Sequence, residues 1–188
     1  MRYFGYAKNE SILKKAYKEY KMGSAIETTK LQYSWILWYH DPNNKDYSLE
    51  SYVKIVDVST PQQFWTIVDS ISKEAWESGM FFFMRRGFKP LWDSPENEAG
   101  GAWSKKIEDR VVHSTFINLM VHCITNELLI HRKETLVGIT ISPKGPFSIV
   151  KIWNTTTTVS DTAFLNPGIE NFKIGEDVTY TPHKARPK

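Results

Sequence analysis

The residues best suited to chemistry in this chain lie in a loop rich in proline and glycine. The loop runs from Gly87 to Trp103 and contains two tryptophans, two prolines and three glycines. Proline fixes φ and glycine permits positive φ, so this density predicts a loop. Trp92 offers a flat π face there, and the adjacent Asp93 offers two parallel acceptor oxygens. The pair suits a flat ligand with two neighbouring N–H donors on one edge, such as guanine. The alternative is a tryptophan packed over the core beside a solvated aspartate.

The sequence contains none of the common catalytic or nucleotide-binding motifs. GxxxxGK[ST], GxGxxG, HExxH and GxSxG are all absent, and the five histidines have no metal-ligand spacing. His122 and Cys123 are adjacent, but neighbours on a helix do not face each other. This arrangement favours a core cysteine beside a surface histidine. These absences do not exclude an enzyme, but no residue pattern argues for one, and we expect no metal and no cofactor.

Length and composition predict a single globular domain. The chain has 188 residues, of which 41% are hydrophobic and 24% charged. A single cysteine excludes an internal disulfide and is compatible with a reducing, cytoplasmic compartment. No apolar run approaches the roughly 18 residues of a membrane span. The net charge of +3 tolerates an anionic ligand but falls short of a general nucleic-acid binder.

Aromatic residues are the distinctive feature of the composition. They make up 14% of the chain and include seven tryptophans, at positions 35, 38, 65, 76, 92, 103 and 153. Such an excess indicates either a heavily aromatic core or stacking platforms for bases or sugars.

Hydrophobic periodicity predicts the elements that must position these residues. Strands are predicted over residues 31–40, 52–58, 80–84, 103–107, 135–142, 147–153 and 172–180, and helices over residues 60–71, 111–125 and 158–166. This order predicts an α+β fold: a single domain with a curved, mostly antiparallel sheet, about three helices on one face and a ligand cleft on the other.

The two ends of the chain are predicted to be appended segments. Residues 1–26 form an N-terminal extension whose apolar residues between 12 and 20 recur at helical spacing. Residues 27–183 form the binding domain, and residues 184–188 form a basic C-terminal tail.

Four motifs occur in order along the chain: Trp35-Ile36-Leu37-Trp38-Tyr39, Thr60-Pro61-Gln62-Gln63-Phe64-Trp65, Pro90-Leu91-Trp92-Asp93 with Gly100-Gly101-Ala102-Trp103, and Ile149-Val150-Lys151-Ile152-Trp153. Together they resemble the eukaryotic translation initiation factor 4E family, which binds the 7-methylguanosine cap of mRNA, and the resemblance covers about residues 31–183. No single motif is decisive, but four at matching spacing are strong. The resemblance implies a binding module without a catalytic step.

The resemblance also implies how a cap would be held. Trp92 is similar to one of the two stacking aromatics, and Asp93 stands where a glutamate usually reads guanine. The second stacking aromatic is expected to be Tyr47, with Tyr52 as the alternative. Trp153 is similar to the tryptophan that closes over the N7-methyl group.

The phosphates of the cap need cations, and the family's basic positions are only partly kept. Lys144 falls where the family has a phosphate-binding arginine, and lysine offers a point charge rather than a fork. Ile149 occupies the next basic position, with Lys151 nearby, and Ala102 replaces a further basic residue. The tail residues His183, Lys184 and Arg186 are expected to supplement them.

A protein partner is implied on the opposite face. The family docks helical Y-x-x-x-x-L-apolar peptides of initiation factor 4G and 4E-binding proteins there, and Trp65 is similar to the central tryptophan of that surface. Four positions depart from the usual residues: Pro61, Asn118, Leu119 and His122 replace Val, Leu, Glu and Leu. Thr29-Lys30 likewise replaces His-Pro. We expect the same surface with altered specificity, improved toward the standard peptide by Leu119→Glu.

Two other classes of function remain open at this point. An enzyme acting on capped or nucleotide substrates would need a placed metal or general base in the cleft. A carbohydrate-binding module would use the tryptophans to stack sugar rings. The sequence does not decide whether the protein promotes or represses translation.

Overall fold

The structure is a computed structural model that describes residues 30–172 and 177–184. The predicted extension at residues 1–26 lies outside the described residues, as do Thr29 and residues 185–188 of the predicted tail, Arg186 among them. Within the described part of the chain, no helix is long and apolar enough to cross a membrane.

The fold is built on one curved sheet of seven strands in the order β2-β1-β3-β5-β6-β4-β7, and every neighbouring pair is antiparallel. The strands are β1 (Trp35–His40), β2 (Val53–Val58), β3 (Met80–Arg85), β4 (Gly101–Glu108), β5 (Leu136–Pro143), β6 (Phe147–Asn154) and β7 (Thr179–Pro182). Alternation along each strand sends successive side chains to opposite faces of the sheet. The sheet therefore has one face for a core and one for a cleft.

Three α-helices are described, α1 (Pro61–Ser70), α2 (Lys73–Ser78) and α3 (Asp109–Ile124). The α1 start predicted from Thr60-Pro61 is confirmed, because the Thr60 hydroxyl accepts from the Gln63 N–H at 3.2 Å and Pro61 takes the first helical position. Ser72 caps α2 in the same way through the Ala75 N–H. Three short 3-10 helices lie at Leu49–Ser51, Lys133–Thr135 and Thr162–Phe164.

The main core lies between the sheet and the helices. Trp35 stacks on Phe83 with ring centroids 5.1 Å apart, and Trp76 packs against Phe81 at 4.5 Å. Cys123 is buried in this core, as predicted, and burial raises the pKa of its thiol well above the usual value. A smaller apolar cluster covers the other face and contains Tyr52, Phe82, Met84, Ala102, Val137 and Trp153. The predicted α+β architecture is confirmed.

Two predicted elements are wrong in detail. The helix expected over residues 158–166 is only the 3-10 turn Thr162–Phe164, where the Asp161 carboxylate accepts from the Ala163 N–H at 2.8 Å. The last strand begins at Thr179 rather than at residue 172, and Phe172 is instead buried in the core. Helix α2 escaped the sequence analysis because six residues are too few to establish a helical period.

Candidate ligand-binding cleft

A cleft of about 190 Å³ opens on the sheet face that carries no helix. It is smaller than the roughly 300–1,000 Å³ of typical small-molecule sites, so it suits one flat ring. Its walls are formed by Tyr47, Tyr52, Met80, Phe82, Pro90, Trp92, Thr140, Ser142, Lys151 and Trp153. The structure thus brings together four of the predicted cap-site residues, Tyr47, Trp92, Lys151 and Trp153, with the alternative Tyr52.

One wall of the cleft is a stack of rings that rises from β1. The His40 ring is fully buried and lies parallel to the Tyr47 ring, with centroids 4.8 Å apart and an interplanar angle of 10°. His40 Nε2 is 2.8 Å from the Asp46 carbonyl, which can only accept, so this nitrogen carries the proton. Tyr47 is 50% exposed, which leaves its ring accessible from the cleft.

Tyr52 lies behind this stack rather than at its outer end. It is 9% exposed and meets His40 at 4.6 Å and Phe82 edge-on at 5.2 Å. Burial raises the pKa of the Tyr52 phenol, and nearby Tyr47 and Asp93 raise it further. Tyr52 therefore stays neutral and forms a buried part of the cleft wall. Its burial favours Tyr47 over Tyr52 as the stacking ring.

The opposite wall is the loop that carries Trp92 and Asp93, and a buried asparagine shapes it. Asn97 is fully buried, and its amide donates to the carbonyls of Lys89 at 2.8 Å and Leu91 at 2.7 Å. The Ser94 hydroxyl also donates to the Leu91 carbonyl, at 3.0 Å. These hydrogen bonds give the loop carbonyls donors from within the protein. They also hold in place the segment that carries Trp92.

Gly100 closes this loop against β6. A Cβ at Gly100 would lie 1.9 Å from the Asn154 carbonyl oxygen, so only glycine permits this approach. The next residue, Gly101, donates its N–H to Asn154 Oδ1 at 3.1 Å. The Gly100-Gly101 pair is therefore explained by the close contact between the end of the loop and the sheet.

Asp93 is exposed beside Trp92. It is not among the residues that line the cleft, but its negative charge adds to the burial that raises the pKa of the Tyr52 phenol.

Trp153 forms part of the floor, and His183 lies behind it. Trp153 is 4% exposed and donates from Nε1 to Thr140 Oγ1 at 3.4 Å. His183 packs edge-on against it with centroids 4.8 Å apart. The prediction that His183 is a tail residue available to phosphates is wrong, because His183 is 1% exposed and its Nδ1 bonds to the Asn97 carbonyl at 2.9 Å. It links the floor of the cleft to the Trp92 loop.

The predicted cations differ in their position relative to the cleft. Lys151 lines it. Lys144 is exposed at the tip of the β5–β6 hairpin, two residues beyond Ser142, which does line it. Ala102 is buried against Trp153 in the smaller apolar cluster, so the position that is basic in the family here serves packing.

The helix-covered side carries the other predicted surface. Trp65 on α1 is 48% exposed and packs edge-on against Phe64 at 4.9 Å. Pro61, Asn118 and His122 are half-buried on this side of the chain. Burial lowers the pKa of His122, partly offset by Glu127, so the imidazole is neutral at pH 7.

The prediction that Leu119 belongs to this surface is wrong. Leu119 is fully buried in the main core, together with Phe116 and Met120 of the same helix. Consecutive helical residues point about 100° apart, so the half-exposed position falls on Asn118 and the adjacent leucine faces inward. A carboxylate placed at 119 would enter the core rather than meet a peptide.

Sequence reasoning missed several residues that shape the cleft. His40 supports Tyr47, Asn97 holds the Trp92 loop, and Thr140 bonds to Trp153. Alternation along β5 could have placed Thr140 and Ser142 on the cleft face. No local pattern marks His40 or Asn97, whose partners are set by the fold of the loops.

The fold and the cleft define a class of protein: a one-sheet α+β domain with helices on one face and an aromatic ligand cleft on the other. Residues 30–186 match the model of the family described as Eukaryotic initiation factor 4E, and the chain belongs to that family.

Similar proteins carry related descriptions. Eukaryotic translation initiation factor 4E-4 of Caenorhabditis elegans is 29% identical over 133 residues, which cover 66% of this chain and 61% of that protein. Eukaryotic translation initiation factor 4E-2 of Schizosaccharomyces pombe is 26% identical over 133 residues, covering 68% of this chain and 54% of the relative. The chain thus spans somewhat more than half the length of these relatives.

Two solved structures share the fold. Caenorhabditis elegans eIF4E-3, in complex with the 4E-binding protein Mextli and a cap analog, superposes with a TM-score of 0.70 over 85% of this chain and 98% of that one. Ascaris suum eIF4E-3, in complex with the m7G cap, gives a TM-score of 0.63 over 71% and 77% of the two chains. Both are 18% identical to this chain.

Proposed function

We propose that this protein binds the 7-methylguanosine cap of mRNA in the cleft between Tyr47 and Trp92. The observation that carries the proposal is a small cleft lined by Tyr47, Trp92 and Trp153, with the exposed Asp93 directly after Trp92 in the chain. Family membership and the cap ligands of the two eIF4E-3 structures support the same function.

Aromatic walls suit a methylated base for an electrostatic reason. Methylation at N7 gives guanine a delocalised positive charge, and a cation between electron-rich rings gains cation–π energy beyond ordinary stacking. Tyr47 and Trp92 provide the two rings. The His40 ring behind Tyr47 fixes the plane of the tyrosine in advance, so less side-chain entropy is lost on binding.

Asp93 recognises the guanine edge, and the lysines bind the phosphates. A carboxylate accepts from both N1–H and the exocyclic amine of guanine, and the positive charge of the methylated base strengthens those bonds. Aspartate is one methylene shorter than the glutamate usual in the family, so the base sits closer to the loop. Lys151 in the cleft and Lys144 at the hairpin tip supply the cations for the phosphates.

This activity places the protein in translation initiation or its regulation, in the cytoplasm, as a binding module. The relatives named above are translation initiation factors, which supports this role. An enzyme acting on capped substrates and a carbohydrate-binding module are the alternatives, and the family favours neither.

We also infer that the Trp65 side of α1 and α3 receives a protein partner, such as a 4G-like scaffold or a 4E-binding protein. A half-exposed tryptophan with polar neighbours is a typical interface anchor. The Mextli complexes of eIF4E-3 support a partner of this class.

Retention on immobilised 7-methyl-GTP tests the cap proposal. We expect the protein to be eluted by 7-methyl-GTP and not by GTP, and Trp92→Ala to lose at least the roughly 1–3 kcal/mol of one stacking contact. Trp65→Ala, which removes an exposed tryptophan from the helical side, should be retained normally. A Trp92→Ala protein that is folded by circular dichroism and still retained would refute the proposal.

A further inference from the structure

A buried histidine stands at the base of the Tyr47 wall of the cleft. His40 is the last residue of β1 and is fully buried, with its ring parallel to that of Tyr47 and tilted against that of Tyr52. Its Nε2 donates to the Asp46 carbonyl, whereas its Nδ1 is buried and bonds to no described residue. A neutral imidazole with its proton on Nε2 fits this environment. A protonated imidazole would carry a second N–H without an acceptor and a charge without water around it.

The hydrogen bond from His40 ties the loop that carries Tyr47 to the sheet. Other hydrogen bonds of this loop are local, such as those from the Asp46 N–H to Asn44 and from the Ser48 N–H to Asp46. The bond from His40 Nε2 to the Asp46 carbonyl joins residues six positions apart. Because Tyr47 is half-exposed, its position depends on this bond and on the stacked His40 ring.

The charged and titratable groups around His40 do not supply the missing acceptor. The Asp46 carboxylate accepts from the N–H and the hydroxyl of Ser48, which lower its pKa, and the charge of His40 adds a smaller attraction. The other groups packed against the ring, carried by its loop or placed on the facing wall are Asp41, Lys45, Tyr47, Tyr52, Met80 and Asp93. None of them hydrogen-bonds to Nδ1.

We propose that His40 is a positioning residue for Tyr47 and holds it for the methylated base only while the imidazole is neutral. The inference rests on the proposed cap-binding function. Protonation leaves the Nδ1–H of His40 without an acceptor, so the loop opens to hydrate it. Opening moves Tyr47 away from the stacking position and reduces the fraction of molecules that can bind the base.

A second effect acts in the same direction. The methylated base is a cation on one face of Tyr47, and a protonated His40 would place a second cation on the other face. The two like charges repel each other across the ring. Affinity for the base is therefore full above the range in which histidines titrate, near pH 6.5, and is lost as the pH falls through it.

The test compares the pH dependence of 7-methyl-GTP affinity in the parent and in His40→Phe, which keeps a flat buried ring but cannot titrate. Between about pH 7.5 and about pH 5.5, the parent should lose about three- to tenfold more affinity than His40→Phe, because one pH unit below the ordinary histidine value corresponds to a factor of about ten. Titration of the base and phosphates of the ligand is the same for both proteins and cancels in the comparison.

His131→Gln is the matched control, because it removes an exposed histidine from the segment between α3 and β5. It should keep the pH profile of the parent. His40→Gln keeps a side-chain N–H donor without a ring or a titratable group, so it should bind more weakly than the parent at about pH 7.5 and share the profile of His40→Phe. It decides the question if His40→Phe does not fold. Parallel profiles in the parent and the His40 variants would overturn the inference.

Hydrogen exchange of the free protein separates this inference from the proposed function. The ratio of exchange rates between the parent and His40→Phe should rise from about pH 7.5 to about pH 5.5 in residues 41–48 and stay constant in β5. A constant ratio in residues 41–48 would overturn the inference even if 7-methyl-GTP binds. A rising ratio in a parent that does not bind 7-methyl-GTP would overturn the proposed function and leave His40 as the switch of this loop.

Discussion

Among single residues, one position on each of the two proposed binding faces can be tested directly. Asp93 is the proposed acceptor for guanine, and its charge adds to the raised pKa of the buried Tyr52 phenol. Asn118 is a half-buried polar residue beside the proposed partner surface, and its Oδ1 bonds to no residue of the described chain. A conservative substitution at either position tests its proposed role.

Asp93→Asn should weaken 7-methylguanine binding more than it weakens binding of an adenine analogue. The amide keeps one acceptor and adds an unwanted donor, so a charge-assisted pair of roughly 1.5–3 kcal/mol is lost. Titration by quenching of tryptophan fluorescence measures both ligands. Glu98→Gln, which neutralises an exposed carboxylate of the same loop, should leave both affinities unchanged. Equal losses for the two bases would show that Asp93 does not read the guanine edge.

Leu119→Glu should destabilise the fold instead of improving peptide binding. Truncating a buried leucine alone costs roughly 2–5 kcal/mol, and an unpaired carboxylate in the core adds to that. Urea unfolding should show a large drop in the transition midpoint. Asn118→Glu, one position away on the half-exposed side, should stay within about 0.5 kcal/mol of the parent. A Leu119→Glu protein of unchanged stability would contradict the core assignment.

At the scale of elements, the cleft depends on how two loops are held against the sheet. The stack of Tyr47 on His40 fixes one loop, and the hydrogen bonds of Asn97 fix the other. Asn97 is also bonded from outside its loop, because its carbonyl accepts from His183 at the end of β7. The edge strand and the Trp92 loop therefore support each other.

Asn97→Ala should disorder the Trp92 loop and weaken cap binding while the seven-stranded sheet persists. The Lys89 carbonyl loses its Asn97 donor, at roughly 1–3 kcal/mol for an unsatisfied group, while the Leu91 carbonyl keeps the hydrogen bond from Ser94. Hydrogen exchange should become faster in residues 89–98 and remain slow in β3 and β5. Asn97→Asp keeps the shape but not the donor, and it should behave like the alanine variant. Full cap affinity in either variant would mean that the loop is held by other contacts.

In the whole molecule, the sheet separates the two proposed binding faces. The cleft lies on the face covered by the smaller apolar cluster, and Trp65 lies on the helical side. The core between them is closely packed, with Trp35, Phe83 and Phe116 buried at its centre. A change confined to the Trp65 surface should therefore not reach the cleft.

Trp65→Ala should abolish partner binding and leave 7-methyl-GTP affinity unchanged. The side chain is half-exposed, so its loss removes an anchor rather than core volume. Calorimetry with a standard Y-x-x-x-x-L-apolar peptide should also give weak binding to the unmodified protein, because Asn118 and His122 replace apolar contacts. Tight binding of that peptide would contradict altered specificity. Loss of cap affinity in Trp65→Ala would show that the tryptophan is structural.

Most of the secondary structure and the presence of the Trp92 loop follow from local sequence patterns. Composition and alternation predicted six strands close to their bounds and placed the seventh too early, and Thr60-Pro61 marked the start of α1, because these signals are local. The proline- and glycine-rich loop around Trp92 and Asp93 was also predicted, because these residue types shape the backbone locally, whatever they pack against.

Long-range packing sets which side chains line the cleft or the surface and which enter the core. One helical residue separates the buried Leu119 from the half-exposed Asn118, and periodicity on a mostly apolar helix does not resolve that difference. The choice between Tyr47 and Tyr52 rests on the contacts of His40, and the burial of His183 rests on Asn97, 86 residues away along the chain. Burial is set by long-range packing. A sequence pattern gives the hydrophobic period of a helix or strand, but it does not say how that element is rotated against its neighbours.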